Sequence, residues 1–314
     1  MLELHFVNVG DGDAIYVEQS RGVRTFRMLV DTGKENVSAA PGSERITAAD
    51  YLKNRGVEYL DALVITHLHL DHFGGLRAIM DSVEIGTVFT GFVPEGMGHA
   101  PEKDSDIKSV RGLKECLNRW SEDVDTLRRK GTRFCPIARQ REEIALTREL
   151  RAVFYGPPED GREFMTRVYG SLLRGEPVSD GLAYCISKLR NPFSLRLKLE
   201  YAGRGALLAG DCYGAVWEDV AEHCDLLKVP HHGDSKALTK RLISGLSPRW
   251  AVISCGEEYI PRKDRPSRQT LEMLADQGTR IYFTDAFAPD GCAPIRHKSV
   301  IFSIHEDGTV EAPA

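Results

Sequence analysis

No stretch of the 314-residue chain is apolar for the roughly 20 residues that a membrane-crossing helix needs, so no membrane partner is expected. The opening Met1-Leu2-Glu3-Leu4-His5-Phe6 has no basic leader and reads as a strand rather than a signal peptide. Cysteine is sparse, with 7 residues and no Cys-x-x-Cys pair. That argues against a disulfide framework or a thiolate zinc site, and points to a reducing, cytoplasmic setting. Charge of one sign is lacking too. A net charge of −5 gives no drive for non-specific nucleic-acid binding, although a nucleotide-type or nucleic-acid substrate stays open. Histidine is scarce, at 10 residues, and absent from Ala100 to Glu222. With 42% hydrophobic and 28% charged residues the composition is that of a globular protein with ample core.

Against that scarcity stands Thr66-His67-Leu68-His69-Leu70-Asp71-His72-Phe73-Gly74-Gly75, which follows the apolar run Ala62–Ile65. Imidazole and carboxylate are ligands for Zn, Mn or Fe, and alternation on an extended segment sends His67 and His69 to one side.

Strand-like stretches occupy Leu2–Val9, Ala14–Glu18, Thr25–Val30, Ala62–Thr66 and Gly86–Thr90, with short helices over Thr47–Lys53 and Leu76–Met80. The segment from about residue 94 to 190 differs. Ile107, Val110, Leu113, Leu117, Trp120, Val124 and Leu127 recur at spacings of three and four, which predicts one long amphipathic helix. Such a stripe usually covers the sheet of its own domain; a cap or dimer contact beside the cleft is the other reading. Arg128, Arg129, Lys130, Arg133, Arg139, Arg141, Arg148 and Arg151 follow it, interrupted by Glu142, Glu143 and Glu149, and read as a solvated charged face.

The second half resumes the alternation. Strands are expected at Ser194–Tyr201, Ala206–Ala209, Asp225–Pro230, Ala251–Ser254, Arg280–Thr284 and Lys298–His305, with helices at Ala215–Cys224, Lys236–Leu246 and Ser267–Asp276. Asp211 and the pair His231-His232 each end a strand, as the first cluster does. A second ion needs a bridging carboxylate and further imidazoles. Two ions about 3.5–4 Å apart can share a bridging hydroxide and clamp the oxygens of a phosphate or carbonyl.

These residues resemble the metallo-β-lactamase fold superfamily. Its His-x-His-x-Asp-His signature is matched by His67, His69, Asp71 and His72, its early Asp-Thr-Gly by Asp31-Thr32-Gly33, its bridging Asp by Asp211 and its last His by the His231-His232 pair. The resemblance is closer to one branch, the metallo-β-lactamase-like domain of the DNA-uptake channel protein of competent bacteria and its stand-alone relatives. Val9-Gly-Asp-Gly-Asp13, Leu227-Lys-Val-Pro-His-His-Gly233 and Thr284-Asp285 carry that closer match. It covers residues 1–93 and about 191–305, and implies chemistry rather than a role in transport.

The resemblance implies a four-layer αββα sandwich of class α/β (α+β), a single domain over 1–314 with 94–190 as a helical insertion or cap. It implies two divalent metal ions, Zn or Mn, held by His67, His69, Asp71, His72, Asp211 and one of His231 and His232. The other of that pair would contact a phosphoryl oxygen or protonate the leaving group, so Asp71, His231 and His232 are the catalytic candidates. Asp31 would orient a ligand from behind, or else is a plain turn residue; Asp13 has the same two readings. Many members place one more metal His before the bridging Asp. Here the closer branch's Asn and Ser are matched by Asn191 and Ser194, which implies one ion poorer in imidazole. Ser235 and Lys236 could touch substrate or cap the next helix, and His5, His223, His297 and His305 read as structural or exposed. The implied activity is hydrolysis of a phosphoester, foremost a phosphodiester, by metal-bridging hydroxide. The alternatives are hydrolysis of a lactone, thioester or lactam, and a non-catalytic binding or assembly module. The expected partner is a small-molecule or phosphoester substrate; oligomeric state is not read from the sequence.

Overall fold

The computed structural model describes residues 1–38, 43–96, 98–101, 105–256, 265–285 and 297–313. Small parts of the expected 94–190 insertion (97 and 102–104) and of the 191–305 match (257–264 and 286–296) lie outside them.

Two sheets pack face to face. The first has eight strands: β1 (Leu2–Val7), β2 (Ile15–Arg21), β3 (Arg24–Val30), β4 (Tyr59–Ile65), β5 (Glu84–Thr90), β6 (Arg133–Pro136), β14 (Ser299–Ile304) and β15 (Val310–Glu311). Their spatial order is β15-β14-β1-β2-β3-β4-β5-β6. The second has seven: β7 (Arg141–Ala145), β8 (Arg151–Tyr155), β9 (Arg196–Tyr201), β10 (Arg204–Leu208), β11 (Leu226–Lys228), β12 (Trp250–Ile253) and β13 (Arg280–Phe283), in the order β13-β12-β11-β10-β9-β8-β7.

Period-two alternation sorts each strand's residues between two cores. Leu2, Leu4 and Phe6 of β1 and Ala62 and Val64 of β4 meet Leu197, Leu199, Leu208 and Val252 between the sheets. Leu63 and Ile65 of β4 point the other way, under the helices α1 (Ala48–Asn54), α3 (Leu76–Met80), α4 (Lys108–Arg129), α5 (Glu159–Leu173) and α6 (Asp180–Leu189). Leu207, Leu227, Val229 and Ile253 likewise face α7 (Lys240–Leu246) and α8 (Arg268–Asp276) on the outside of the second sheet. The result is the four-layer αββα sandwich.

The predicted stripe of α4 covers the first sheet: Leu113, Leu117, Trp120, Val124 and Leu127 are buried there, and Trp120 donates its indole N–H to the Phe92 carbonyl at 2.9 Å. Three expectations need correction. The 94–190 segment is not only helical, because β6 extends the first sheet and β7 and β8 extend the second. The Arg/Glu run is spread over the end of α4, β6 and the pair β7-β8; β7 is the sheet edge, where Glu143 bonds both Arg141 and Arg151. Such charge discourages edge-to-edge pairing. The helix expected over Ala215–Cys224 is two short 3-10 turns, Gly214–Val216 and Glu218–Val220, divided at the buried Trp217. Finally, α7 starts at Lys240 rather than Lys236, since Thr239 is the residue that caps it, its hydroxyl accepting from Leu242 N at 3.1 Å.

The site's position follows from strand direction. The runs β3-β4-β5-β6 and β10-β11-β12-β13 are parallel. Parallel strands deliver their carboxyl ends to one edge, where the connecting loops can converge. Asp31, Thr66-His67, Asp211 and His231-His232 all lie just beyond such ends.

Candidate metal centre

The first cluster is built by a strand end and a single helical turn. The chain bends at His67 and the buried Leu68 after β4 rather than running straight on, His69 is extended, and the two rings meet with His67 Nε2 2.8 Å from His69 Nδ1. The chain then coils into α2 (Leu70–Phe73), which turns Asp71 and His72 toward the same cleft.

Behind this cluster lies Asp31, in the left-handed region with φ 56° at the end of β3. Its carboxylate accepts from Thr66 N at 2.8 Å, from the Thr66 hydroxyl at 2.7 Å and from His72 Nδ1 at 2.7 Å. The last bond fixes the His72 tautomer, leaving Nε2 to face the cleft. His232 is held the same way: its Nδ1 donates to the Ser254 carbonyl at 2.7 Å, so its Nε2 also faces inward. Asp211 lies between, with Oδ1 3.3 Å from His72 Nε2 and 3.7 Å from His232 Nε2, and Oδ2 3.8 Å from His67 Nε2. Ser194 supports it from the backbone side, its hydroxyl accepting from Asp211 N at 3.3 Å.

Among the described residues, three groups could hold a metal ion. His67, His69 and Asp211 each offer one atom within 4.8 Å of the others, and so do Asp71, His72 and His232, and Asp13, His72 and Asp211. Asp211 faces both of the first two, one oxygen to each. His72 Nε2, His232 Nε2 and Asp211 Oδ1 are buried and have no hydrogen-bond partner. Buried polar atoms are nearly always paired, so three orphans converging on one point fit a cation. The electrostatics agree. Burial opposes ionisation of Asp71 and Asp211, yet His232 and His72 hold both carboxylates well below their ordinary range. Burial likewise works against a proton on His72, but Asp211 and Asp31 push its pKa well above the usual imidazole value. Protons thus stand where the acidic cluster calls for positive charge. Burial and the neighbouring His72 keep His67 well below its ordinary range, and burial with Arg190 holds His69 down to about 3, so both rings are neutral donors of a lone pair.

The structure separates the His pair that the sequence left joined. Consecutive left-handed residues, His231 (φ 48°) and His232 (φ 55°), send the two rings to different walls. His232 joins Asp71 and His72. His231 Nε2 lies 3.9 Å from Asp211 Oδ2 and is bonded by Asn191 Nδ2 at 2.9 Å and an Arg265 guanidinium nitrogen at 2.8 Å. Lys236 sits over the Tyr213 ring, 5.2 Å from its centroid, instead of capping a helix. His99 is exposed beside Glu122, away from the cleft. His5, His223 and His297 bond Tyr51, the Leu246 carbonyl and the Phe283 carbonyl, in structural roles.

Asp13 proves more than a turn residue. It is buried 3.8 Å from His72 Nδ1 and 3.9 Å from His232 Nδ1, and pairs with the fully buried Lys228 ammonium. Gly12 permits this. A Cβ there would stand 2.5 Å from the Asp71 carbonyl oxygen, so only glycine lets the loop lie against α2, where Asp13 N donates to that oxygen at 3.1 Å. Sequence reasoning missed Thr66, Lys228, Ser254 and Arg265. Lys228 had a signal, a lysine inside the apolar strand Leu226–Val229; Arg265 had none.

Comparison with known proteins agrees with this architecture. Residues 7–88 match the family model of the Metallo-beta-lactamase superfamily. ComE operon protein 3 of Bacillus subtilis (strain 168) is 23% identical over 321 residues, which take in 96% of this chain and 34% of that protein. The chain thus spans about a third of the length of the curated relative it matches. The metallo-beta-lactamase fold protein YhfI from Bacillus subtilis is similar with a TM-score of 0.50 at 11% identity, covering 96% of this chain and 98% of that one. Zn(2+)-bound PqqB from Methylobacterium extorquens gives a TM-score of 0.47 at 9% identity, with 91% and 98% covered. At 11% identity the likeness to YhfI speaks to the fold alone. No helix among the described residues is long and apolar enough to cross a membrane.

Proposed function

We propose that this chain, which carries a Metallo-beta-lactamase superfamily domain, is a metal-dependent hydrolase of phosphoesters, foremost phosphodiesters. The observation that carries the reading is the convergence of His72 Nε2, His232 Nε2 and Asp211 Oδ1, buried and unpartnered, between two ligand groups that share Asp211. His67, His69 and Asp211 would hold one divalent ion, and Asp71, His72, His232 and Asp211 the other. Zn²⁺ suits the imidazoles. Mn²⁺ suits the first group, where Asn191 stands in place of another imidazole. Such ions, when bound, acidify an attacking water and offset charge that builds on phosphoryl oxygens.

The protein's own residues do the rest. Asp31 and the Ser254 carbonyl lock the His72 and His232 rings, so the ligand atoms need not reorganise. The Thr66 hydroxyl, 3.1 Å from His67 Nδ1, holds that ring, and Ser194 fixes the Asp211 backbone. In the reaction, water oxygen forms a bond to phosphorus, the ester P–O bond breaks, and a proton passes to the leaving oxygen. Asp71, at the cleft and 24% exposed, is kept ionised by His232 and His72 and would serve as a ligand to the second ion.

The test is metal analysis beside an activity screen. Protein purified without added metal, then loaded with Mn²⁺ or Zn²⁺, is expected to bind close to two ions and to hydrolyse bis(p-nitrophenyl) phosphate. Asp71→Ala is expected to lose most of that rate. Less than one ion per chain, or equal rates for wild type and Asp71→Ala, overturns the reading.

A further inference from the structure

One wall of the cleft carries more donors than it has acceptors. A neutral imidazole nitrogen has one in-plane lone pair. Two donors point at that of His231 Nε2: the Asn191 amide at 2.9 Å and the Arg265 guanidinium at 2.8 Å. One is in surplus, and the guanidinium has N–H groups to spare. Nor is this a loose surface contact. His231 is 6% exposed, and its Nδ1 and the Asn191 Oδ1 are buried without a hydrogen-bond partner. His231 Nε2 lies 3.9 Å from Asp211 Oδ2, so an atom held here abuts the ligand groups.

The surroundings bring cations to this wall. Asp234 stands 3.9 Å from Arg265 Nε and 3.5 Å from His231 Nδ1, so it holds the guanidinium beside the ring. The Tyr213 ring flanks His231 at 5.4 Å, with the Lys236 ammonium above it. Arg265 and Lys236 bring two cations to this wall, facing the carboxylates of Asp234 and Asp211. A planar fork of donors matches a pair of phosphoryl oxygens, whereas a carbonyl offers only one neutral acceptor.

We propose that Arg265, positioned by His231 and flanked by the Asn191 amide, forms an anion subsite that grips non-bridging phosphoryl oxygens of the substrate on the Asp211 side of the cleft. This rests on the phosphoester reading above and deepens it. The left-handed backbone of His231 serves the division of labour: His232 goes to the ligand set and His231 to the substrate wall. Arg265 enters as the phosphoryl oxygen arrives and its bond to His231 loosens, leaving Asn191 as the partner that keeps the ring in place.

The experiment compares wild type, Arg265→Ala and Arg265→Lys, all loaded with Mn²⁺. Binding of inorganic phosphate is measured by calorimetry, metal content by elemental analysis, and kcat/KM on bis(p-nitrophenyl) phosphate and on p-nitrophenyl acetate. Arg265→Ala is expected to keep its metal and to weaken phosphate binding by roughly 10- to 100-fold, the range of a charge-assisted hydrogen bond. The ratio of phosphodiester to acetate kcat/KM should fall by a similar factor. Arg265→Lys, which keeps the charge but not the fork, should lie between. Phosphate affinity within twofold of wild type, or metal content that falls with the substitution, overturns the subsite. If wild type hydrolyses neither substrate yet binds phosphate in an Arg265-dependent way, the subsite stands and the hydrolase reading falls.

Discussion

Replacing Lys228 by methionine isolates a buried charge, and its consequences can be worked out in advance. The Lys228 and Asp13 side chains are 0% and 1% exposed and bond each other. Methionine preserves most of the lysine's volume, so little cavity forms. What remains is the Asp13 carboxylate without its cation. The nearby His72 and His232 Nδ1 atoms cannot replace it, since they already donate to Asp31 and to the Ser254 carbonyl. Removing one partner of a buried ion pair typically costs about 3–5 kcal/mol. A carboxylate can escape by taking up a proton. From an ordinary pKa near 3.9 that costs about 4 kcal/mol at pH 7 and about 1.5 kcal/mol at pH 5. The expected loss is therefore about 3–4 kcal/mol at pH 7, shrinking toward pH 5 because protonation grows cheaper as pH falls. Urea unfolding of the metal-free protein reads this directly, with the m-value unchanged. Metal is removed so that binding does not add to stability. The double variant Asp13→Asn/Lys228→Met, having no lone charge, should recover much of the loss. A single-variant loss below about 1 kcal/mol at pH 7, or one that grows toward pH 5, would refute the reasoning.

Three further outcomes follow from the geometry. Asp31→Ala frees His72 to rotate and should weaken metal binding by roughly 10- to 100-fold, read by competition with a chromogenic chelator; affinity within twofold of wild type contradicts the orienting role. Gly12→Ala drives a methyl into the Asp71 carbonyl, 2.5 Å away, and should destabilise the metal-free protein by more than about 1 kcal/mol in urea; a neutral result means the loop can shift off α2. Burial, helped by Arg55, lowers the His5 pKa to about 4 from an ordinary 6.5. The unfolded chain thus binds a proton that the folded one refuses, and stability should fall as pH drops from 6.5 to 4, by about 3 kcal/mol in all. His5→Phe removes that contribution, so its urea midpoint should depend less steeply on pH across that window; an identical slope counts against a neutral buried His5.

Much of the site was legible because its residues sit at strand ends, where a run of apolar residues breaks into His, Asp and Gly. Short-range order dictates that pattern: β4 into His67-Leu-His69, β10 into Gly210-Asp211, β11 into Pro230-His-His-Gly233. The α4 stripe was legible for the same reason, since a period near 3.6 is a local property of the chain. The strands β6, β7 and β8 were not. They are short, and β7 lies on a sheet edge where charged side chains read as loop. Their pairing is decided by partners distant in sequence, such as β5 for β6 and β9 for β8.

The sequence by itself determined which residue types stand at the carboxyl ends of the strands and, through the resemblance they carry, the expectation of an αββα sandwich. Only the tertiary structure decided how those residues are divided. It placed Asp211 between two ligand groups, gave His232 to one of them and His231 to Arg265, and buried Lys228 against Asp13. The physical reason is that ring tautomers, carboxylate orientation and backbone handedness are set by hydrogen bonds between the ends of neighbouring strands. Asp31 to His72, Ser254 to His232 and Ser194 to Asp211 bridge 41, 22 and 17 positions of the chain, distances over which no local pattern speaks.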